Sequence, residues 1–302
     1  MSRLTKGYII ALIGITIWST TGVLISYLVV NYRMPALLLA FWRNLLVCVA
    51  LVLALSLIRR CLLRIQRSLI GFYIIYGLIL AVFNSIWTLS VAANGAAVAT
   101  VLAYSSAGFT AILALWLFKE KLGIPKIAAV LLSLGGCVLV SNAYRAEMWK
   151  LNPLGIASGL LSGLLFAIYT LIGKETARRD INPWTSMLYS FGFGSLFIMI
   201  FNLFPALPGA AGSVQALYPD LSTKGWLVLI LLSFGPTVLG FGLYNMSMNY
   251  LPASITNLLA TLEPAMTAAE AYVFLHERMT LIQIAGSLVI LSAVLIVQFQ
   301  KE

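Results

Sequence analysis

The sequence contains few charged residues, one histidine and three cysteines. Only 9% of its 302 residues are charged and 61% are hydrophobic, whereas about a quarter of the residues of soluble domains are charged. Cys48, Cys61 and Cys137 have neither the spacing of metal ligands nor that of a disulfide framework. Gly-rich phosphate-binding loops are also absent. These absences argue against an enzyme, and we expect no metal and no cofactor.

Long apolar runs recur along the whole chain. A run of about 18 residues is long enough to cross roughly 30 Å of hydrocarbon as a helix. Because the runs lack the alternation of a membrane β-barrel, helices are the expected structure. The first run follows Arg3 and Lys6 and is too long for a signal-peptide core. The sequence therefore predicts an all-α polytopic membrane protein whose first span is retained.

Ten spans are predicted, and prolines at or near five of their starts fit the first turn of a helix, where a missing N–H has no consequence. The predicted spans are residues 7–30, 35–58, 68–93, 95–118, 124–143, 153–177, 183–204, 223–250, 253–274 and 280–299.

The second half of the chain repeats the first. Ala96–Lys121, which ends in Phe-Lys-Glu-Lys, recurs as Ala253–Arg278, which ends in Leu-His-Glu-Arg, at an offset of 157 residues. Upstream, an offset of 148 relates Pro35 to Pro183 and aligns the first span with the sixth. The segment Pro205–Ser222 can absorb the difference between the two offsets.

This repetition predicts two five-helix repeats, residues 1–150 and 151–302. An odd number of spans per repeat makes the second repeat enter the membrane from the opposite side, so the two repeats are expected to be inverted.

The net charge of +10 is explained by topology rather than by nucleic-acid binding. With the N-terminus inside, 13 of the 19 lysines and arginines lie in predicted cytoplasmic segments and five lie outside, while Arg43 lies within a span. Cytoplasmic loops carry this excess of basic residues. We therefore expect both termini in the cytoplasm and no nucleic-acid partner.

Three sequence features occur in the order and spacing of a known family: Pro-Ala-Leu-Leu-Leu-Ala-Phe-Trp-Arg at 35–43, Leu262-Glu263-Pro264, and the two repeat endings. Together with the ten-span layout, they resemble the EamA-type permeases of the drug/metabolite transporter superfamily, which include bacterial exporters of amino acids and related metabolites. The resemblance implies alternating access around a central cavity lined by spans 1, 3, 4, 6, 8 and 9, in a bacterial inner membrane. The first half departs from the pattern, since Ser106-Ala107 stands where the second half has Glu263-Pro264.

Charged groups inside spans are the first candidates for a site, because each costs about 2.5–3.5 kcal/mol at a helix centre unless it faces a cavity or a partner. Arg43 is either a counter-charge for a substrate carboxylate or part of a gating ion pair, or it is a structural arginine that bonds loop carbonyls or extends outward to the interface. Glu263 either takes up a proton during transport or caps a backbone group freed by Pro264. Glu270, seven residues further on and on nearly the same helix face, is expected to make a polar contact towards the outer side.

Aromatic and amide side chains at mid-span are the second set of candidates. Rings provide contact area at low entropic cost and amides orient a polar group, although ordinary packing explains each residue equally well. The predicted substrate-binding residues, besides Arg43 and Glu263, are Trp18, Thr21, Asn84, Trp87, Tyr104, Tyr169, Tyr244 and Asn245.

Glycines beside a proline in the eighth span form a candidate hinge. Gly235, Pro236 and Gly240 would let that helix bend during alternating access, and an ordinary packing kink is the alternative. A ladder of glycines in the sixth span, Gly155, Gly159 and Gly163, predicts close helix packing.

These patterns favour a secondary transporter that exports small amphipathic metabolites, above all aromatic or other apolar amino acids. Export of cationic or lipophilic drugs, with Glu263 binding the cation, is one alternative, and a non-transporting membrane scaffold is another. Uniport and proton coupling both stay open. The expected partners are a small-molecule substrate and the lipid bilayer, and a monomeric functional unit is favoured.

The predicted topology can be tested with reporters. A reporter fused after Glu302 should lie in the cytoplasm, and the same reporter inserted in 205–222 should lie on the other side, because the basic residues are distributed that way. A C-terminal reporter found outside the cytoplasm would overturn the predicted orientation.

Overall fold

The computed structural model describes residues 2–94, 96–148, 153–207, 209–275 and 280–298. All regular secondary structure within these ranges is helical. Within it lie a π-helical segment (Ser233–Phe241) and fourteen α-helices. In chain order the helices are α1 (Arg3–Ser19), α2 (Thr21–Tyr32), α3 (Ala36–Ile58), α4 (Ile70–Asn94), α5 (Ala96–Tyr104), α6 (Ser106–Phe118), α7 (Ile124–Val140), α8 (Pro153–Arg178), α9 (Pro183–Asn202), α10 (Thr223–Leu232), α11 (Gly242–Ser247), α12 (Ala253–Ala260), α13 (Glu263–Leu275) and α14 (Leu281–Gln298).

Seven helical stretches in the described ranges are long and apolar enough to cross a membrane. They are Arg3–Tyr32, Ala36–Ile58, Arg67–Trp87, Ala99–Phe118, Pro153–Arg178, Pro183–Asn202 and Thr223–Ser247. Two further apolar helices, Ile124–Val140 and Leu281–Ile296, are shorter, and α12 with α13 occupies the predicted ninth span. The expected all-α polytopic membrane protein is confirmed, whereas the count of ten spans stays a prediction.

Breaks divide three of the predicted spans, whose apolar runs show no interruption in the sequence. They separate α1 from α2, α5 from α6, and α12 from α13. At each break a hydroxyl donates to the carbonyl three residues earlier, which competes with the helical hydrogen bond. The three bonds are Thr20 Oγ1 to Ile17 O at 2.8 Å, Ser105 Oγ to Leu102 O at 2.6 Å, and Thr261 Oγ1 to Leu258 O at 2.6 Å.

The predicted span bounds contain no information about these breaks, for a physical reason. One serine or threonine in an apolar run hardly changes its hydropathy, so a hydropathy pattern does not reveal whether the hydroxyl bends the helix. The first helix also begins at Arg3, four residues before the predicted start of the span.

The bundle packs around α4 and α8, which contact each other along their length, while α4 also packs against α9. The first helix packs against the π-helical segment and α11, and α7 packs against α14. Small residues permit these close approaches. At the α7–α14 crossing, Gly136 and Gly286 leave no room for a Cβ atom on either helix.

Large apolar side chains cover the outside of the bundle. Leu57, Trp116, Ile124 and Leu281 are each exposed by more than three quarters of their surface. Such a surface would be a liability in water, and it is the surface that a helix bundle presents to lipid.

The crossing of α4 and α9 provides a test of the packing. A Cβ atom at Gly77 would lie 2.6 Å from Phe193 Cβ and 2.7 Å from Gly194 N. Gly77→Ala should therefore destabilise the protein by about 1–3 kcal/mol through overpacking, measured as a lower thermal unfolding midpoint in detergent.

Gly71→Ala, on the same helix, is the matched control, because a Cβ atom there meets nothing within 4 Å. It should be neutral or slightly stabilising, since alanine favours the helix by up to about 1 kcal/mol over glycine. Equal effects of the two substitutions would contradict the packing described here.

Candidate functional site

Three of the charged residues predicted within spans lie near one another inside the bundle. Arg43 on α3 and Glu263 on α13 are half-buried and attract each other, although no ion pair between them occurs among the described residues. Glu270 is near enough to Glu263 for the two carboxylates to interact. Arg43 Nη2 donates to Asn84 Oδ1 on α4 at 3.4 Å. Arg43 therefore reaches into the bundle, not outward to loop carbonyls.

Glu263 and Tyr104 meet at two of the helix breaks. Tyr104 is the last residue of α5, and Glu263 is the first residue of α13. The Tyr104 hydroxyl donates to Glu263 Oε2, and Tyr104 is buried. The hydrogen bond described for the Glu263 carboxylate is thus to a side chain of the other half, not to a backbone group freed by Pro264.

Glu270 lies at the third break. Its Oε1 accepts a hydrogen bond of 2.6 Å from Ser19 Oγ, the last residue of α1. Thr267, one turn earlier on α13, donates to the Ser19 carbonyl at 3.0 Å. The polar contact expected for Glu270 is therefore made, and it joins α13 to the point where the first span bends. Glu270 was a charged candidate in the sequence but was not among the predicted substrate-binding residues, although its spacing from Glu263 was a usable signal.

Several buried polar atoms in this region have no hydrogen-bond partner within the described structure. They include Arg43 Nε, Thr21 Oγ1 and Glu270 Oε2. Buried polar groups are nearly always paired, because an unpaired group loses its hydration without compensation. Unpaired donors and acceptors beside opposite charges can accept a polar ligand or water.

Aromatic rings pack beside the charged cluster. The Trp18 ring makes edge contacts with Phe241, Tyr244 and Phe166 at centroid distances of 5.0, 5.5 and 6.1 Å. Tyr169 lies 5.5 Å from Phe241. Trp18 is half-buried, so its ring joins the aromatic core to the polar region.

Four of the predicted binding residues differ in burial. Tyr169 and Tyr244 are fully buried and Asn245 is nearly so, whereas Trp87 is half-buried on α4. The amide of Asn245 donates to the Phe241 carbonyl at 2.9 Å. Thus Trp18, Arg43, Trp87 and Glu263 are each half-buried, whereas Tyr169, Tyr244 and Asn245 belong to a closed core in this structure.

A chain of hydrogen bonds that sequence reasoning missed runs through this core. Ser106 Oγ donates to Asn257 Oδ1 at 2.9 Å, and Asn257 Nδ2 donates to Thr170 Oγ1 at 3.0 Å. The Thr170 and Tyr244 hydroxyls are 3.0 Å apart. The chain links α6, α12, α8 and α11, and its members could not be paired without knowing which helices are neighbours.

The candidate hinge lies in the π-helical segment. Pro236 lacks an N–H and clashes with the preceding turn, which displaces the helical hydrogen bonds. Thr237 Oγ1 donates to the Leu232 carbonyl at 2.8 Å. A Cβ atom at Gly240 would lie 2.7 Å from Trp18 N, so Gly240 allows α1 to cross closely, whereas Gly235 meets only a Leu231 side chain at 3.8 Å. The hinge role of the three residues stays a prediction.

The glycine ladder of the sixth span lies against the fourth span. A Cβ atom at Gly159 would come within 2.6 Å of Leu102, and one at Gly163 would contact Ser105.

Within the described ranges, no group of three or more His, Cys, Asp or Glu side chains has the arrangement of a metal site.

The chain is similar in sequence to known transporter proteins. Residues 5–142 and 153–299 each match the EamA-like transporter family. An uncharacterized transporter of Archaeoglobus fulgidus is 30% identical over 237 residues, which is 77% of each chain. A probable amino-acid metabolite efflux pump of Escherichia coli K12 is 26% identical over 304 residues, 98% of this chain and 95% of that protein.

Two further comparisons agree. The threonine/homoserine exporter RhtA of Salmonella typhimurium is 28% identical over 218 residues, 72% of this chain and 68% of that protein. A solved crystal structure superposes with a TM-score of 0.79 at 16% identity, covering 97% of this chain and 96% of that one, which supports the fold alone.

The two segments that match the family model together make up nearly the whole chain. The chain is a membrane transporter protein that belongs to the EamA-like transporter family.

Proposed function

We propose that this protein is a secondary-active exporter of small zwitterionic metabolites, above all amino acids with aromatic or other apolar side chains. The observation that supports this proposal most is that Arg43 lies within electrostatic range of Glu263, and Glu263 within range of Glu270. Arg43 Nε and Glu270 Oε2 have no hydrogen-bond partner within the described structure. A bound zwitterion would pair its carboxylate with the Arg43 guanidinium and its ammonium with the carboxylates. Two relatives, a probable amino-acid metabolite efflux pump and a threonine/homoserine exporter, support this substrate class.

Two half-buried tryptophans supply the apolar part of the proposed site. Trp18 and Trp87 are half-buried, so each has a ring surface free for contact. An apolar or aromatic substrate side chain would pack on these rings, which add contact area without losing much rotamer freedom.

An inverted-repeat architecture of ten spans is the second part of the proposal. Under the repeat offsets, spans 1 and 8 correspond to spans 6 and 3. The packing of α1 on the π-helical segment and α11 is matched by that of α8 on α4, and the last helices of the two halves, α7 and α14, pack on each other. The breaks near Ser105 and Leu262 lie one repeat length apart. A pseudo-two-fold axis in the membrane plane would produce these correspondences.

Alternating access with the cytoplasmic half closed is the third part. Four tyrosines fill the half of the bundle nearer the N-terminal end of α1, and each has at most 1% of its surface exposed. They are Tyr73, Tyr76, Tyr169 and Tyr244. The Arg43 and Glu270 side chains, in the opposite half, are half-buried. This asymmetry is what an outward-facing state of an alternating-access transporter would have.

Contacts at the two ends support the proposed topology with both termini cytoplasmic. Arg3 donates to the Asn249 carbonyl, and Thr185 donates to the Leu62 carbonyl. Arg3 and Leu62 belong to segments predicted to be cytoplasmic, and Asn249 and Thr185 lie at the predicted cytoplasmic ends of their spans. At the other end, the Tyr32 hydroxyl and Ser222 Oγ, both predicted to be outside, are 2.6 Å apart.

Export of organic cations is a second candidate function, favoured by one observation. Glu263 lies within electrostatic range of a second carboxylate, Glu270, and of a single guanidinium, that of Arg43, so the site carries an excess of negative charge when both carboxylates are ionised. A lipophilic cation would balance this charge without using Arg43.

Efflux from liposomes tests the preferred substrate class. Purified protein should accelerate efflux of labelled phenylalanine, and Arg43→Gln should reduce the rate at least tenfold, because a charge-assisted hydrogen bond to a substrate carboxylate contributes about 1.5–3 kcal/mol. Arg64→Gln, a change at an exposed loop arginine, is the control. In a thermal-shift measurement, phenylalanine should stabilise the wild type but not the Arg43→Gln variant. No flux above empty vesicles for a broad amino-acid panel would refute the substrate class while the fold stood.

Charge-specific variants separate the two candidate functions. If zwitterions are the substrates, Arg43→Gln and Glu263→Gln should both impair phenylalanine efflux, since each removes one of the two charges that the substrate needs. If cations are the substrates, Glu263→Gln alone should abolish efflux of a lipophilic cation such as tetraphenylphosphonium. Efflux of the cation that survives Glu263→Gln would contradict the second candidate.

The aromatic part of the site can be tested with a pair of tryptophans. Trp87→Ala should reduce phenylalanine efflux more than alanine efflux, because only the larger substrate uses the ring surface. Trp116→Ala is the matched control, since Trp116 is 78% exposed on the outside of the bundle. Equal losses for the two substrates would argue against Trp87 as a contact for the substrate side chain.

A further inference from the structure

The first turn of α12 has no cap of its own. Its N-cap position is Pro252, which has no side-chain hydrogen-bond acceptor. The helix is eight residues long, and all of them are buried, so water cannot freely satisfy its first N–H groups. A cap must therefore come from elsewhere in the chain.

Glu120 supplies that cap from the other half of the protein. Its Oε1 accepts a hydrogen bond of 2.8 Å from Ala253 N, and its Oε2 accepts one from Ser254 Oγ. A carboxylate at a helix N-terminus is favoured by the unpaired N–H groups and by the helix dipole. We call these two bonds the Glu120 cap.

The end of α6 aims the carboxylate across the bundle. Lys119 adopts a left-handed conformation with φ 55°, and Glu120 N donates to the Ala114 carbonyl at 3.2 Å. This turn ends the helix and directs the next side chain towards α12. The turn lies in the Phe-Lys-Glu-Lys ending of the first repeat, for which the proposed transport site gives no role.

The Glu120 cap is enclosed and charge-balanced. The side chains of Glu120 and Lys126 are each 11% exposed, and Lys126 Nζ lies 3.7 Å from Glu120 Oε2. Lys126 also donates to Ser254 Oγ at 3.0 Å. Low exposure to water strengthens these bonds. Loss of the Glu120 carboxylate would leave the Lys126 ammonium without a counter-charge in an enclosed site.

The loop before α12 is held from its other side as well. Lys174 Nζ on α8 donates to the carbonyls of Met248 and Leu251 at 2.7 and 2.8 Å. The connection from the eighth to the ninth span is thus fixed at its start by Lys174 and at its end by Glu120.

We infer that Glu120 is a positioning residue that keeps the cytoplasmic ends of the fourth and ninth spans together, so that its two bonds form when this side is closed and break when it opens. The inference rests on the proposed alternating access. It extends that proposal by assigning the closed state to one carboxylate, which lies outside the substrate site and acts through α12.

Cysteine accessibility tests the Glu120 cap in the full-length protein. In a background with Cys48, Cys61 and Cys137 replaced by alanine, Ser247→Cys reports the cytoplasmic half, since Ser247 is fully buried. Gly22→Cys reports the opposite half, where Gly22 is exposed and an added Cβ atom meets only Thr267 at 3.8 Å. Reaction with a membrane-impermeant maleimide is then followed from each side of oriented vesicles.

Glu120→Gln should speed cytoplasmic labelling of Ser247→Cys about tenfold and slow the labelling of Gly22→Cys, because one charge-assisted bond contributes enough to shift the populations by this factor. Ser254→Ala should act in the same direction, and the double variant should be less than additive, since both changes remove one interaction. Glu175→Gln is the matched control, since Glu175 pairs with Arg179 on the exposed surface of α8.

The outcomes separate this inference from the proposed function. Unchanged labelling, or faster labelling of both probes with a lower unfolding midpoint, would overturn the inference, since a purely structural role has no reciprocal effect. If Glu120→Gln does not fold, Glu120→Asp provides the same reading, because its carboxylate is one methylene shorter and should give a smaller shift in the same directions. Reciprocal labelling without amino-acid flux in liposomes would support the role of Glu120 and refute the substrate class, and flux without reciprocal labelling would do the reverse.

Discussion

Every backbone polar group inside a membrane has to be bonded within the protein, because hydrocarbon offers no alternative partner. This constraint favours continuous helices. Where spans of this chain are broken, side-chain hydroxyls bond backbone carbonyls at the break. At Thr20, Ser105 and Thr261 a side-chain hydroxyl bonds the carbonyl three residues earlier. In the eighth span, Thr237 bonds the Leu232 carbonyl beside Pro236. Breaks in the spans are therefore tolerated where a hydroxyl accompanies them.

The compensated breaks are also where the acidic residues of the site are held. Tyr104 ends one helix and donates to Glu263, which begins another. Ser19 ends the first helix and donates to Glu270. A residue at a helix end has backbone geometry and space that a residue in the middle of a packed helix lacks. The same local departures that weaken the spans therefore bring ionisable groups from different spans together, which is the general design of broken-helix transport sites.

The sequence predicted the parts of this arrangement that depend on composition and periodicity. The helical membrane class follows from apolar runs, and Arg43, Asn84 and Glu263 were recognisable as polar groups in the middle of such runs. The breaks were not predicted, because a hydropathy pattern does not reveal where a hydroxyl bends a helix. The pairing of Tyr104 with Glu263 and the Glu120 cap were not predicted either, because each depends on which helices are neighbours. In sequence, Ser106 stands out only as the counterpart of Glu263, and Asn257 does not stand out; the packing of α6 on α12 makes them partners.

The eight residues of α12 connect two features that are distant in sequence. Its N-terminus is bonded to Glu120, and its C-terminus leads through Thr261 to Glu263. The helix is about 12 Å long at 1.5 Å per residue, and its complete burial prevents it from bending independently of its neighbours. A displacement of α12 at the Glu120 end would therefore act on the break next to Glu263. If the proposed function holds, the proposed substrate site and the Glu120 cap are connected through this one buried helix, and a ligand that displaces Glu263 would act on the bonds made by Glu120.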